Sequence, residues 1–173
     1  MSRKLSPRAK KIKQLILDES QSKALIKSKE RQTELGEVFT PSDLVFDMLT
    51  ELPKETWQEG RTFLDPTCGN GQFLAAILIT KIQLGHKNPL ATIYGVDIMK
   101  DNCAQCRARL FAIARKGKHE KTLKQYEAIL KKHIVCADGL EYDYSFDEKE
   151  QMELDKKCEE DVKWMKETEN KEN

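Results

Sequence analysis

The chain has 173 residues, of which 34% are charged and 39% hydrophobic, with 30 Lys and Arg against 29 Asp and Glu. That length suits one soluble domain with a modest core, and no internal repeat or low-complexity linker marks a second one. The charge is uneven: residues 1–31 hold ten bases and three acids, whereas residues 141–173 hold six bases and thirteen acids, so the two ends attract each other or different partners.

Ser6 caps and Pro7 begins a first helix whose Ile12, Leu15 and Ile16 form one stripe as far as Asp18. Its basic arm (Arg3, Lys4, Arg8, Lys10, Lys11, Lys13) is compatible with phosphate contact but has no interleaved aromatics and no base-reading pattern, so a solvated helix face is the preferred reading. A second helical stretch is expected around Lys23 to Leu35. After a loop from Gly36 to Pro41, the residues Leu44, Val45, Met48, Leu49 and Leu52 make an amphipathic helix that Pro53 ends. Next come a strand (Thr62 to Leu64), a helix (Gln72 to Leu84), a strand (Thr92 to Val96), a helix (Asp101 to Lys116), a polar helical stretch (Glu120 to Lys132) and a strand (Ile134 to Ala137). Such alternation is the sign of right-handed βαβ units in a parallel sheet. A last helical pattern, Asp147 to Thr168, spaces Leu154, Cys158, Val162 and Met165 on one side with Trp164 beside them. The apolar run Phe73 to Leu84 is broken by Thr80, Lys81 and Gln83, and the basic start lacks the apolar run of a secretory signal. Five cysteines without a dense framework suit a reducing compartment. A cytoplasmic protein is expected, with no membrane partner.

The most specific segment is Phe63-Leu64-Asp65-Pro66-Thr67-Cys68-Gly69-Asn70-Gly71-Gln72-Phe73-Leu74, a strand running into a glycine-rich turn and then a helix. Gly69 and Gly71 suit a sharp turn that a ligand approaches with no Cβ in the way. Leu74 stands where the dinucleotide fingerprint has its third small residue, so a smaller, adenosine-bearing ligand fits better than a pyrophosphate. Asp97 ends an apolar strand 26 positions after Gly71, near the separation at which a carboxylate meets ribose hydroxyls. Asp138 follows the next strand on the same edge, where it accepts from an exocyclic amine such as that of adenine. Each of Asp65, Asp97 and Asp138 alone is equally an ordinary helix cap or turn residue. Together beside a G-x-G turn they mark one crevice.

These residues resemble a family. Asp65 to Leu74 is similar to the S-adenosyl-L-methionine (AdoMet) loop of adenine-N6 DNA methyltransferases, usually close to D-P-A-C-G-S-G-x-F-L, and Gly36-Glu37-Val38-Phe39-Thr40-Pro41 resembles the G-E-x-F-T-P segment those enzymes place before it. Modification subunits of type I restriction systems share both, and small forms like this chain look similar to phage-encoded relatives. Ile93 to Ile98 and Ile134 to Leu140 resemble the family's second and third strands. The resemblance implies an α/β fold with the AdoMet-dependent, Rossmann-like parallel sheet, truncated to about three strands and flanked by N- and C-terminal helices. It implies AdoMet as cofactor, with Phe39, Thr40, Pro41, Asp65, Pro66, Cys68, Gly69, Gly71, Phe73, Asp97, Ile98, Asp138 and Gly139 around it. The family's catalytic tetrad, Asn or Asp followed by Pro-Pro and an aromatic, holds the flipped adenine. No proline follows Asp138, the last being Pro89, so no catalytic residue is assigned; Tyr142 to Phe146 offers aromatics beside polar groups but reads as the turn after the third strand.

The expected organisation is a basic arm at 1–35, an AdoMet-binding half-domain at 36–146 and an acidic helix or tail at 147–173. In the family further strands continue the sheet beside the first, so that edge is expected to recruit a protein partner or a second copy. DNA contact is expected through the basic arm or through the partner. The functional expectation is one half of a split DNA methyltransferase or a subunit of a modification complex, inactive alone. A non-catalytic AdoMet-binding regulator is the alternative. A further rival is a zinc-stabilised module built on Cys103, Cys106, His133 and Cys136, against which stands the placement of these residues on a helix and within an apolar strand.

Overall fold

The computed structural model describes residues 5–20, 33, 38, 40–116 and 120–146. The expected helix at 147–168 and, apart from residue 33, that at 23–35, together with Gly36, Glu37 and Phe39, lie outside the described residues. Helix α1 (Pro7–Ser20) starts where the Ser6 hydroxyl accepts the Ala9 N–H at 3.2 Å, and it buries Ile12 and Ile16. Helix α2 (Ser42–Thr50) buries Val45, Phe46 and Leu49. Leu44 and Met48, expected on its inner face, are instead about half exposed, at 48% and 51%. Phe46 is the larger side chain and turns the short helix towards itself. The chain then passes through β1 (Phe63–Asp65), α3 (Gln72–Leu84), β2 (Ile93–Asp97), α4 (Lys100–Ala114), α5 (Glu120–His133) and β3 (Ile134–Cys136). Short 3-10 turns at Lys54–Trp57 and Pro89–Thr92 precede the first two strands, and both begin just after or at a proline.

The three strands form one parallel sheet in the order β1-β2-β3, with Asp65 paired to Gly95 and Asp97 to Cys136. Parallel strands need crossover helices, and α3 and α4 supply them, which gives the Rossmann-like α/β arrangement. One sheet face, carrying Phe63, Ile93, Ile134 and Cys136, packs under the helices; Leu74, Leu78 and Leu110 are fully buried there. The other face carries Tyr94, Val96, Val135 and Ala137 and is covered by the turn Tyr142 to Phe146, in which Tyr144 and Phe146 take φ of +59° and +51°. Bulky residues rarely adopt that conformation, and here the aromatic packing enforces it. Gly95 is required by packing: a Cβ on it would sit 2.7 Å from Leu74 Cδ1 and 2.9 Å from Cys68 Sγ. Close approach of helix and strand, which the dinucleotide fingerprint obtains from a third loop glycine, is obtained here from a glycine in β2. Among the described residues no helix is long and apolar enough to cross a membrane.

Lys81, which breaks the apolar run of α3 in the sequence, is fully buried. Its Nζ donates to the Arg61 carbonyl at 2.6 Å and to the Thr92 hydroxyl, and lies 4.8 Å from the Phe63 ring centre. The group thereby ties α3 to the amino ends of β1 and β2. Burial pushes its pKa down to about 8, with Glu59 opposing the shift. A neutral amine still has two donors for the same two acceptors, so deprotonation relieves desolvation without losing a hydrogen bond. Below the folded value the penalty of the buried cation is fully present, and it disappears as pH rises towards the ordinary value of 10.5. The stability difference between wild type and Lys81→Met, measured by urea unfolding, should therefore move in favour of wild type between pH 8 and pH 10. A difference independent of pH would show that Lys81 keeps an ordinary pKa.

Candidate cofactor site

The carboxyl ends of the three strands bring the sequence-expected residues to one edge. β1 ends at Asp65, β2 at Asp97, and Asp138 stands two residues beyond β3. The loop after β1 is held by the Asp97 carboxylate, whose Oδ2 accepts the Gly69 N–H at 2.8 Å while Oδ1 accepts the Met99 N–H at 2.9 Å and the Asn102 amide at 3.2 Å. Gly69 and Gly71 take φ of +52° and +80°, the left-handed region that glycine enters without strain. A Cβ at Gly71 would stand 2.5 Å from Cys106 Sγ, so the back of the loop presses directly on α4. The loop after β3 closes the edge from the other side: a Cβ at Gly139 would stand 2.5 Å from the Pro66 carbonyl oxygen. Tyr144 fixes that contact by donating its hydroxyl to the Gly139 carbonyl.

The individual side chains divide into three groups. Asp65 is partly buried and Asp138 exposed, and each accepts one backbone N–H of its own turn, from Thr67 at 3.2 Å and from Leu140 at 2.8 Å. Pro41, Pro66 and Ile98 are exposed and Thr40 is half-buried. Cys68 and Phe73 face inward. Cys68 is 5% exposed, contact with Cys106 together with burial drives its thiol pKa strongly upward, and its backbone N–H ties the loop to β2 by donating to the Val96 carbonyl at 2.8 Å. Phe73 packs against the main core. The zinc constellation does not assemble: Cys103 and Cys136 donate to backbone carbonyls of Val135 and Ile98, and His133 contacts the Ile93 carbonyl and stacks on Tyr94 with ring centres 4.0 Å apart. Among the described residues no three His, Cys, Asp or Glu side chains are placed to hold a metal ion.

Sequence reasoning missed a polar cluster behind the loop. Arg109 on α4, 5% exposed, donates through Nη1 to Asn70 Oδ1 at 3.0 Å and to Gln72 Oε1 at 2.7 Å, and its Nε lies 3.2 Å from Glu19 Oε1 of α1. Gln72 in turn donates to the Ser42 hydroxyl at 2.7 Å, at the start of α2 just after Thr40 and Pro41. The available signal was spacing: Arg109 falls on the buried side of α4 defined by Cys103, Cys106 and Leu110, where an uncompensated cation is not tolerated.

A sequence model of the family described as N-6 DNA Methylase matches residues 10–173. The chain belongs to that family, adenine-N6 DNA methyltransferases, which generally use AdoMet. Neither the curated proteins nor the solved structures contain a match to the chain.

Asp65 shows what the site costs the fold. Burial, with the negative Asp97 adding to it, raises the Asp65 pKa above its ordinary 3.8, while the Thr67 N–H pulls it down. A raised carboxyl favours the fold when protonated and loses that contribution as pH rises through its folded value. Asn at this position keeps an acceptor for Thr67 and removes the charge. Asp65→Asn should therefore melt above wild type at pH 7, with the gap narrowing as pH falls towards 4. A variant less stable than wild type at pH 7 would contradict this account of the pair.

Proposed function

We propose that the chain binds AdoMet at the carboxyl edge of β1, β2 and β3 and acts as the cofactor-binding part of a DNA adenine-N6 methyltransferase, either one half of a split enzyme or a subunit of a modification complex. The observation that carries the reading is the Asp97 carboxylate, set at the end of β2 and joined directly to the glycine loop. A carboxylate offers about four acceptor positions, and three are used by Gly69, Met99 and Asn102. One ribose hydroxyl fits the fourth, and a second binds by displacing the Asn102 amide, the longest of the three contacts. Asp138 accepts from the adenine amine, Asp65, Pro66, Gly69 and Gly71 shape the wall, and Phe39, Thr40 and Pro41 cover the methionyl end. When bound, AdoMet supplies an electrophilic methyl group; the chain's own residues bind and orient it.

The target-base tetrad is contributed from outside these 173 residues, because none of their five prolines follows Asp138. Two features support a protein partner. β1 pairs only with β2 among the described residues, leaving Leu64 47% exposed, whereas the Ile134 carbonyl of β3 is taken by Arg107 at 3.0 Å from Nε. Leu44, Met48 and Leu52 also present an exposed apolar stripe on and just after α2. The acidic residues 141–173 favour a protein over DNA as the first contact.

Calorimetry of the purified chain should show binding of AdoMet or its demethylated product, weakened at least tenfold by Asp97→Ala. Charge-assisted hydrogen bonds are worth about 1.5–3 kcal/mol, and about 1.4 kcal/mol is tenfold in affinity. No heat with either ligand at millimolar concentration, in folded protein, would remove AdoMet from the account. Labelled methyl should not enter duplex DNA with the chain alone and should enter when extract of the native host supplies the tetrad. Transfer by the chain alone would contradict the split arrangement; silence in both, with a stable co-purifying protein, would favour the non-catalytic regulator.

A further inference from the structure

Arg109 is more expensive than its position requires. A buried guanidinium is desolvated, and an apolar side chain of similar volume often serves stability as well. Here Nη2 is buried with no hydrogen-bond partner among the described residues, so part of the cost is not offset. Burial pushes the Arg109 pKa down and Glu19 opposes the shift. What the guanidinium does obtain is a fixed geometry: Nη1 holds Asn70 and Gln72, one on either side of Gly71, and Nε holds Glu19 near the end of α1. A planar fork can hold three groups from separate elements at once, which a lysine's single ammonium cannot do in the same geometry.

We infer that Arg109 is the positioning residue of the glycine loop, clamping it from behind through Asn70 and Gln72 and coupling its conformation to helix α1 through Glu19. The inference rests on the reading of that loop as an AdoMet site. Asp97 fixes the loop at Gly69 from the front, and Arg109 fixes the residues on both sides of Gly71 from the back. Gln72 carries the restraint one step further, to Ser42 beside Thr40 and Pro41. A shift of α1 therefore reaches both walls of the crevice through one side chain. Asn70 has a specific part: its side-chain carbonyl is the acceptor by which the guanidinium holds the loop itself.

The test compares wild type with Arg109→Lys, Asn70→Ser and Glu19→Gln. Amide hydrogen exchange is read by NMR at Gly69 and Gly71, with Val96 and Val135 as core reference, and affinity for the demethylated product of AdoMet is read by calorimetry. Arg109→Lys should speed exchange at Gly69 and Gly71 at least about tenfold while Val96 and Val135 stay unchanged, and should weaken ligand binding about tenfold. Asn70→Ser and Glu19→Gln should shift the same two amides in the same direction by smaller factors. Equal acceleration of all four amides in Arg109→Lys would mean a merely structural residue and would overturn the proposal, as would unchanged loop amides. If Arg109→Lys does not fold, Asn70→Ser decides by the same criterion. If wild type binds no ligand, the AdoMet reading falls, whereas the exchange pattern still decides the role of Arg109.

Discussion

The loop between β1 and α3 depends on the contact of the Asp97 carboxylate with the Gly69 N–H at 2.8 Å. It joins the ends of two adjacent parallel strands across 28 residues of sequence, and it fixes a turn whose glycines lie in the left-handed region. The same carboxylate holds Met99 and Asn102 at the start of α4. One side chain thus sets the loop, the strand end and the following helix relative to each other, and any ligand approaching the edge meets an acceptor whose position is already determined.

Packing on the sheet makes that contact possible. Gly95 lets Leu74 and Cys68 approach β2 closely, and Gly71 lets the loop rest on Cys106. The loop is held behind by the Arg109 cluster, and the loop after β3 meets it at Pro66 and Gly139. The ionisable groups differ in what they cost. Asp65 beside Asp97 and the orphaned Nη2 of Arg109 both stand at the loop, whereas the buried Lys81 lies at the opposite end of the sheet and finds two acceptors. Desolvation and repulsion of this kind at one edge of a fold are where a binding site is expected.

The alternation of strands and helices was legible because each element carries its own period: β1, β2 and β3 lie within one residue of the expected spans, and Ser6 caps α1 as expected. The strand-terminal aspartates were legible for the same reason, since parallel strands deliver their ends to one edge. What remained hidden was long-range or ambiguous. The stripe Leu44, Met48, Leu52 is as periodic as Val45, Phe46, Leu49, and only packing against α1 and α3 selects the second. The Arg109 cluster joins residues up to 90 positions apart, and no local pattern encodes such a meeting. Cys68 was expected beside the ligand because of its place in the motif; its thiol turns inward because Gly95 leaves room there.

The central claim, that the carboxyl edge organised by Asp97 is the cofactor site of this N-6 DNA methylase family member, is tested most directly by a crystal structure of the chain grown with the demethylated product of AdoMet. The nucleoside should lie at the edge formed by Pro66, Gly69, Asp97 and Asp138, with a ribose hydroxyl on the Asp97 carboxylate. Two clefts elsewhere, of about 560 and 600 Å³, lie among the helices, one beside Leu15, Ile82 and Tyr126 and the other beside Phe46, Trp57 and Leu84. A ligand ordered in either cleft, with the Asp97 edge empty, would contradict the account.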